Sequence, residues 1–183
     1  PEFPAGKPLF IFASHFHADH YAPVIFQLGE KRENVFYILS KEIGKKIPEE
    51  YRKRCKDRIR LVKAGERFCL NISEESLIVE TFHSTDEGVA FWLSCEGKEI
   101  YHAGDLNNWW WEGEDMAWNR NMAASYKQEM KKLSGRTADL AFIPVDPRQE
   151  QWFYLGAAGF MEQADAKWIF PMHFWKIIRL YQN

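Results

Sequence analysis

The sequence has few cysteines, no long hydrophobic run and no excess of one charge, and each shortage excludes a class of protein. Cys55, Cys69 and Cys95 are far apart, odd in number and lack C-x-x-C spacing, which argues against a disulfide framework and a thiolate metal site. A reducing cytoplasm is therefore the predicted location. The sequence shows no run of about 18 apolar residues and no charged-then-apolar leader, so it predicts neither a transmembrane helix nor a signal peptide.

The charge balance excludes a general attraction to polyanions. There are 24 basic and 26 acidic residues, a net charge of −2, so neither nucleic acid nor a membrane is the expected partner. We expect a small-molecule substrate. The sequence does not indicate whether the protein is a monomer or an oligomer. Residues 41–67 hold a local excess of eleven Lys or Arg over five Asp or Glu. This segment could contact an anionic substrate, but a solvated face of surface helices is the preferred interpretation.

Aromatic residues are abundant, at 16% of the chain, and Trp109, Trp110 and Trp111 are consecutive. The length of 183 residues and the hydrophobic content of 46% predict one globular domain over residues 1–183 with a substantial core. Apolar periodicity predicts strands and helices in mixed order, which indicates an α/β protein of layered sheets with outer helices. The predicted strands are residues 8–13, 34–39, 77–82, 89–95, 99–103, 139–145 and 167–171, with the fourth and its neighbours antiparallel.

The predicted helices are residues 22–28, a short helix after Ser40, 114–133 and 155–164. The helix over 114–133 carries an apolar stripe at helical spacing, which we interpret as core. Its members are Trp118, Met122, Tyr126, Met130 and Leu133.

The motif His15-Phe16-His17-Ala18-Asp19-His20 follows directly after the first predicted strand. Imidazole and carboxylate groups are common ligands of zinc and similar cations. In an extended loop the side chains of His15 and His17 point the same way, so both can reach one cation. Asp19 and His20 follow as the chain turns, in position for a second cation. One loop could thus serve two metal ions.

Three further candidate ligands, His83, Asp105 and His173, each follow an apolar run. A site of four or five ligands needs such residues from other strand ends. His102 competes with His83 as a ligand, although a hydrogen-bonding position behind the ligands or a place in the core is preferred for it.

The order HxHxDH, then His, then Gly-Asp, then His resembles the metallo-β-lactamase superfamily, from about Pro8 to His173. The resemblance implies a four-layer αβ/βα sandwich. Members usually have further strands before the first motif, and only fourteen residues precede His15, so an N-terminal hairpin is expected to be absent from this chain. Residues 101–105 and 170–173 look most like the small hydrolases related to ascorbate-6-phosphate lactonase. The resemblance implies two metal ions with these ligands: His15, His17 and His83 on the first, Asp19, His20 and His173 on the second, and Asp105 between them.

The implied chemistry is hydrolysis of a small ester or lactone. Two divalent cations, zinc as first choice and manganese or iron as alternatives, lower the pKa of a bridging water from ~16 toward ~7, and the resulting hydroxide attacks the substrate. Asp19 and Asp105 are the predicted catalytic residues, which orient this nucleophile and carry its proton. The alternatives are a phosphodiesterase on the same pair of metals and a non-hydrolytic iron-binding protein of the same fold.

Three residues are candidates for substrate contact. Asp86, in the turn after His83, either contacts the substrate or caps its turn. Trp109 and Trp110 follow the Asp105 loop and either line the pocket or pack beneath a surface loop.

Overall fold

The computed structural model describes residues 3–4, 6–72 and 75–174, and its strands form two sheets. One sheet has the order β1-β2-β3 and is parallel throughout. The other has the order β4-β5-β6-β7-β8-β9, antiparallel from β4 to β7 and parallel from β7 to β9. The strands are β1 (Leu9–Ala13), β2 (Val35–Ser40), β3 (Ile59–Val62), β4 (Arg67–Ile72), β5 (Glu75–His83), β6 (Val89–Cys95), β7 (Lys98–His102), β8 (Thr137–Pro144) and β9 (Asp165–Met172).

The sequence did not predict β3 and β4, which begin at Ile59 and Arg67, near the end of the basic segment. Each carries charged or polar residues between its apolar ones, so neither resembles a continuous buried run. The predicted antiparallel pairing of β5, β6 and β7 is confirmed.

The helices are short except for one. Asp115 accepts hydrogen bonds from the backbone N–H groups of Ala117 and Trp118, which fixes the start of the long helix. Of the described helices, none has the length and apolar character needed to cross a membrane. The α-helices are α1 (Glu49–Arg54), α2 (Met116–Lys131) and α3 (Leu155–Met161), and 3-10 segments cover Pro23–Glu30, Lys41–Lys45, Lys56–Arg58 and Pro147–Trp152.

Three apolar cores separate four layers. The first joins the 3-10 segments to the parallel sheet and contains Phe26, Tyr37 and Ile43. The second lies between the sheets, where Phe12 of β1 meets Phe91 of β6 edge to face. The third packs α2 and α3 on the larger sheet. The predicted four-layer αβ/βα sandwich is therefore confirmed.

Three strand ends meet around Ser14, the residue after β1, and two glycines make this possible. The backbone N–H of Val89 donates to the Ser14 carbonyl at 3.1 Å. Gly88 has φ +73°, and a Cβ atom there would overlap that same carbonyl oxygen. Gly104 has φ +55°, and a Cβ there would lie 2.7 Å from the Ser14 Cβ. Both positions require glycine for backbone conformation and for space.

Replacing Gly88 with Ala tests this contact, with Gly97→Ala as the matched control. Gly97 also has a positive φ, +71°, but a Cβ there meets nothing within 4 Å. Gly97→Ala should lower the free energy of unfolding by about 1–2 kcal/mol, the cost of a left-handed L-residue. Gly88→Ala should lower it by a further ~1–3 kcal/mol because of the steric overlap. Urea unfolding measures both, and equal losses would contradict the close packing.

Candidate metal centre

The loop after β1 folds back on itself and gathers its own side chains. The backbone N–H groups of His20 and Tyr21 both donate to the His17 carbonyl, at 3.0 and 2.8 Å. This turn places the His15 Nε2 and His17 Nδ1 atoms 3.0 Å apart, in agreement with the prediction that the two rings share one side of the loop. The His15 ring is fully buried.

Asp105, which follows β7 and Gly104, lies at the centre of the cluster. Its Oδ2 is 3.2 Å from the His15 Nε2. Its Oδ1 is 3.1 Å from the His20 Nε2 and 2.8 Å from the His173 Nε2. The carboxylate thus lies between histidines from two different parts of the chain.

The nitrogen and oxygen atoms of this cluster outnumber the protons that could link them by hydrogen bonds. The His20 Nε2 lies 3.0 Å from the His173 Nε2, 3.1 Å from Asp105 and 3.4 Å from Asp19. One imidazole nitrogen carries at most one proton, which cannot satisfy three acceptors. A divalent cation accepts several such lone pairs at once. The residues present therefore fit a metal ion.

Protonation equilibria in the cluster favour a carboxylate at its centre. Burial alone would raise the pKa of Asp105, but hydrogen bonds from His15, His173 and His20 outweigh it and hold the pKa well below its ordinary value. For His173 burial lowers the pKa, yet contacts with Asp105 and Asp146 outweigh that loss and raise it. Asp105 is therefore an anion at neutral pH.

Within the described residues, three overlapping groups bring ligand atoms within 4.8 Å of one another. All of the predicted ligands except His83 occur in them, and Asp86 occurs in addition. The groups are His15, His20 and Asp105; Asp19, His20 and His173; and His17, Asp86 and Asp105.

His83 and His102 lie outside these groups. His83 is exposed at the end of β5, where strand pairing with Val89 continues, and its ring Nδ1 is 2.6 Å from the Ser84 carbonyl. The resemblance had implied that His83 is a ligand of the first metal. The structure instead leaves His83 outside the three groups of candidate ligands. The His102 Nδ1 accepts a hydrogen bond from the backbone N–H of Gly104 at 3.1 Å. Burial, with a further contribution from His20, lowers the pKa of His102 to about 4, so its ring is neutral.

Asp86 is one of the residues whose position the sequence left open. It lies in the turn between β5 and β6, with its carboxylate toward His17 and Asp105. Partial desolvation, and next the charge of Asp105, raise the pKa of Asp86. The Asp86 carboxyl group therefore lies beside the cluster, and it does not serve only to cap its own turn.

Sequence reasoning missed Asp146, which is fully buried behind His173. Its Oδ2 is 3.4 Å from the His173 Nδ1 and 2.5 Å from the Arg148 Nη2. Carboxylates in this position orient a histidine so that its other nitrogen faces a metal. Asp146 follows an apolar strand, β8, and the signal that selected Asp105 could have found it.

A cavity of about 300 Å³ opens beside the cluster, with an aromatic wall. Trp109 lines it, which is one of the two alternatives that the sequence left open, and the indole N–H of Trp109 donates to the Asp105 carbonyl at 2.9 Å. Trp110 instead packs on Trp152, with ring centroids 5.5 Å apart. The aromatic wall, a term used below for the apolar side of the cavity, consists of Trp109, Trp111, Trp118 and Met122.

The start of α2 corrects the interpretation of its stripe as core. Tyr126 and Met130 are buried, as expected. Trp118 is 40% exposed and, with Met122 one turn later, faces the cavity. The first turn of α2 therefore contributes to the cavity rather than to the core.

Comparison with family models and with curated proteins gives no match. Among solved structures, the fold is similar to CmlA, a diiron β-hydroxylase from Streptomyces venezuelae, with a TM-score of 0.50 and 11% identity over 94% of this chain and 36% of that one. YhfI, a metallo-β-lactamase fold protein from Bacillus subtilis, matches with a TM-score of 0.48 and 11% identity over 93% of this chain and 66% of that one.

This chain therefore spans about a third of CmlA. The predicted fold is confirmed, and at 11% identity the likeness extends to the fold alone. The narrower resemblance to hydrolases related to ascorbate-6-phosphate lactonase is not confirmed.

Asp146→Asn tests the support behind His173. The amide keeps the shape of the carboxylate but loses the charge that faces the His173 Nδ1, so metal affinity should fall about 10–100-fold. Isothermal titration of the metal-free protein with Zn²⁺ or Mn²⁺ measures the change. Asp139→Asn on β8 is the control, because that carboxylate binds Lys167 instead. Equal affinities in both variants would remove Asp146 from this role.

Proposed function

We propose that this chain, which has the metallo-β-lactamase fold, is a metal-dependent hydrolase of small esters or lactones. The observation that carries the proposal is the convergence of histidine nitrogens on the buried Asp105 carboxylate beside an open cavity. His15 and His17 would hold one divalent cation, and Asp19, His20 and His173 a second, with Asp105 between them. Two such cations, when bound, would supply an activated water and would polarise the carbonyl group of the substrate.

The two proposed catalytic aspartates differ in their exposure to solvent. Asp105 is buried and contacts three histidines, so its role is to hold and orient. The Asp19 side chain is 39% exposed and lines the cavity, 3.4 Å from the His20 Nε2. Asp19 therefore offers a proton released at the cluster a path to bulk water.

The aromatic wall supports a substrate with a planar or apolar group. Trp109 and Trp111 are parallel, with ring centroids 5.8 Å apart. Flat indole surfaces bind planar apolar groups, and the cavity volume of about 300 Å³ suits a small molecule. An ester or lactone could place its carbonyl at the cluster and its apolar group against the indoles.

The charges around the cavity favour an ester over the alternative phosphodiester. Among the cavity-lining residues that the structure describes, one side chain is a Lys or Arg, namely Arg148. It lies outside the basic segment 41–67. Its guanidinium is bound by Asp146, with contacts of 2.5 to 3.0 Å. This pairing neutralises much of the positive charge that a phosphodiester would need.

An iron-dependent oxidation is the second candidate. The cavity is lined by the carboxylates of Asp19, Asp86 and Asp105, and oxygen ligands suit iron and manganese as well as zinc. CmlA, one of the structures with a similar fold, is a diiron β-hydroxylase. Oxygen consumption by the iron-loaded protein distinguishes this reaction from hydrolysis.

Reconstitution with metal tests the proposed function. The protein loaded with Zn²⁺, Mn²⁺ or Fe²⁺ should hydrolyse at least one member of a panel of esters, lactones, thioesters and phosphodiesters, with esters or lactones preferred. Asp105→Ala should abolish turnover and weaken the binding of at least one cation, because it removes the carboxylate between the histidines. Asp165→Ala, an exposed position, is the control. Unchanged activity of Asp105→Ala would exclude its proposed role.

Trp118→Ala tests the aromatic wall. Loss of one indole contact of about 1.4 kcal/mol should raise KM for an aryl ester roughly tenfold while kcat changes little. The KM for an acetyl ester of a small alcohol should change less. Trp168→Ala, on the edge strand β9, removes an indole that is 67% exposed and serves as the control. A fall in kcat with unchanged KM would contradict a binding role.

A further inference from the structure

We propose that Asp86, and not His83, completes the protein ligands of the cation at His17 and Asp105. The inference rests on the proposed metal site and concerns which residues form it. It differs from the ligand set implied by the superfamily resemblance, in which His83 occupies this place.

The positions of the two side chains carry the proposal. The carboxylate of Asp86 has an oxygen within 4.8 Å of the ligand atoms of His17 and Asp105, a spacing that one cation can bridge. Asp86 and His17 also both line the cavity beside the cluster. His83 is absent from every candidate ligand group within the described part of the chain.

The turn that carries Asp86 is attached on both sides to the loops that carry its partners. Before Asp86, the Thr85 Oγ1 donates to the Asn107 carbonyl at 2.6 Å and accepts from the Asn107 N–H at 3.0 Å. These bonds tie the turn to the loop of Asp105. After Asp86, Gly88 packs against Ser14, next to His15. The Asp86 backbone is therefore held in place between the two halves of the cluster.

His83 lies outside the cluster. Its ring Nδ1 is 2.6 Å from the Ser84 carbonyl, so this nitrogen carries a proton and donates it, which leaves Nε2 as the possible ligand atom. Among the described residues, no candidate ligand group includes that atom. Its backbone N–H donates to the Glu129 Oε2 at 3.2 Å, which ties this end of β5 to α2. His83 also forms the last residue pair of β5 with β6, opposite Val89.

A carboxylate in place of an imidazole changes the chemistry of the cation site. The cluster then combines four histidines with Asp19, Asp86 and Asp105. Because hard oxygen ligands favour manganese and iron relative to zinc, the exchange of His for Asp shifts selectivity away from zinc. Asp86→His should restore a nitrogen ligand and raise the ratio of zinc affinity to manganese affinity.

The test measures metal binding by the whole chain, without reference to turnover. Metal-free protein is titrated separately with Zn²⁺ and Mn²⁺ by calorimetry, and bound Mn²⁺ is followed by electron paramagnetic resonance. We expect two equivalents in the unaltered protein. Asp86→Ala and the isosteric Asp86→Asn should lose one equivalent or bind it at least about tenfold more weakly. His83→Ala and Glu87→Ala, a neighbouring acid in the same turn, should bind as the unaltered protein does.

The outcomes separate this inference from the proposed reaction. Loss of one equivalent in His83→Ala, or unchanged binding in both Asp86 variants, would overturn the assignment of Asp86. If two cations bind through Asp86 but no ester or lactone is hydrolysed, the assignment stands and the proposed reaction fails. If the unaltered protein binds neither cation, both fail. Circular dichroism of each variant verifies that the fold is retained, and Asp86→Asn keeps the test decisive if Asp86→Ala unfolds.

Discussion

The candidate site depends on the direct backbone contact between three strand ends at Ser14. Gly88 and Gly104 approach this residue so closely that neither position has room for a Cβ atom. Each member of the contact lies next to a functional side chain: Ser14 precedes His15, Gly104 precedes Asp105, and Gly88 follows Asp86 by two residues. The distances within the cluster therefore depend on backbone packing, which is stiffer than side-chain packing.

That geometry brings polar groups together at a cost that the protein alone does not fully offset. Asp105 is buried as an anion, and the imidazole nitrogens and carboxylate oxygens of the cluster together offer more acceptors than N–H donors. A bound cation removes this imbalance, so the binding energy of the metal also stabilises the arrangement of the loops. The buried carboxylate of Asp146 extends the same logic outward, because it faces the His173 ring on one side and the Arg148 guanidinium on the other.

Much of this arrangement could be predicted from sequence, and the failures have local causes. The spacing within HxHxDH predicted the shared side of His15 and His17, because the first strand ends immediately before the motif. The position of His83 could not be predicted, since the number of residues between His83 and Gly88 does not reveal where strand pairing stops. β5 pairs with β6 through His83 and Val89, which leaves the following turn to reach the cluster. Trp118 was assigned to the core by helical periodicity, yet it is 40% exposed and lines the cavity instead.

The cavity combines two parts of the chain with separate roles. Its polar side is formed by strand ends whose backbones pack against one another, and its apolar side is the aromatic wall. Trp109 joins the two, because its N–H binds the Asp105 carbonyl while its ring lies 5.6 Å from that of His173. A substrate packed against Trp109 would therefore lie at a fixed position relative to the side chains of the cluster. Trp118 and Met122 line the cavity but are not candidate ligands, so substitution there can change which substrates bind while the metal-binding residues stay in place.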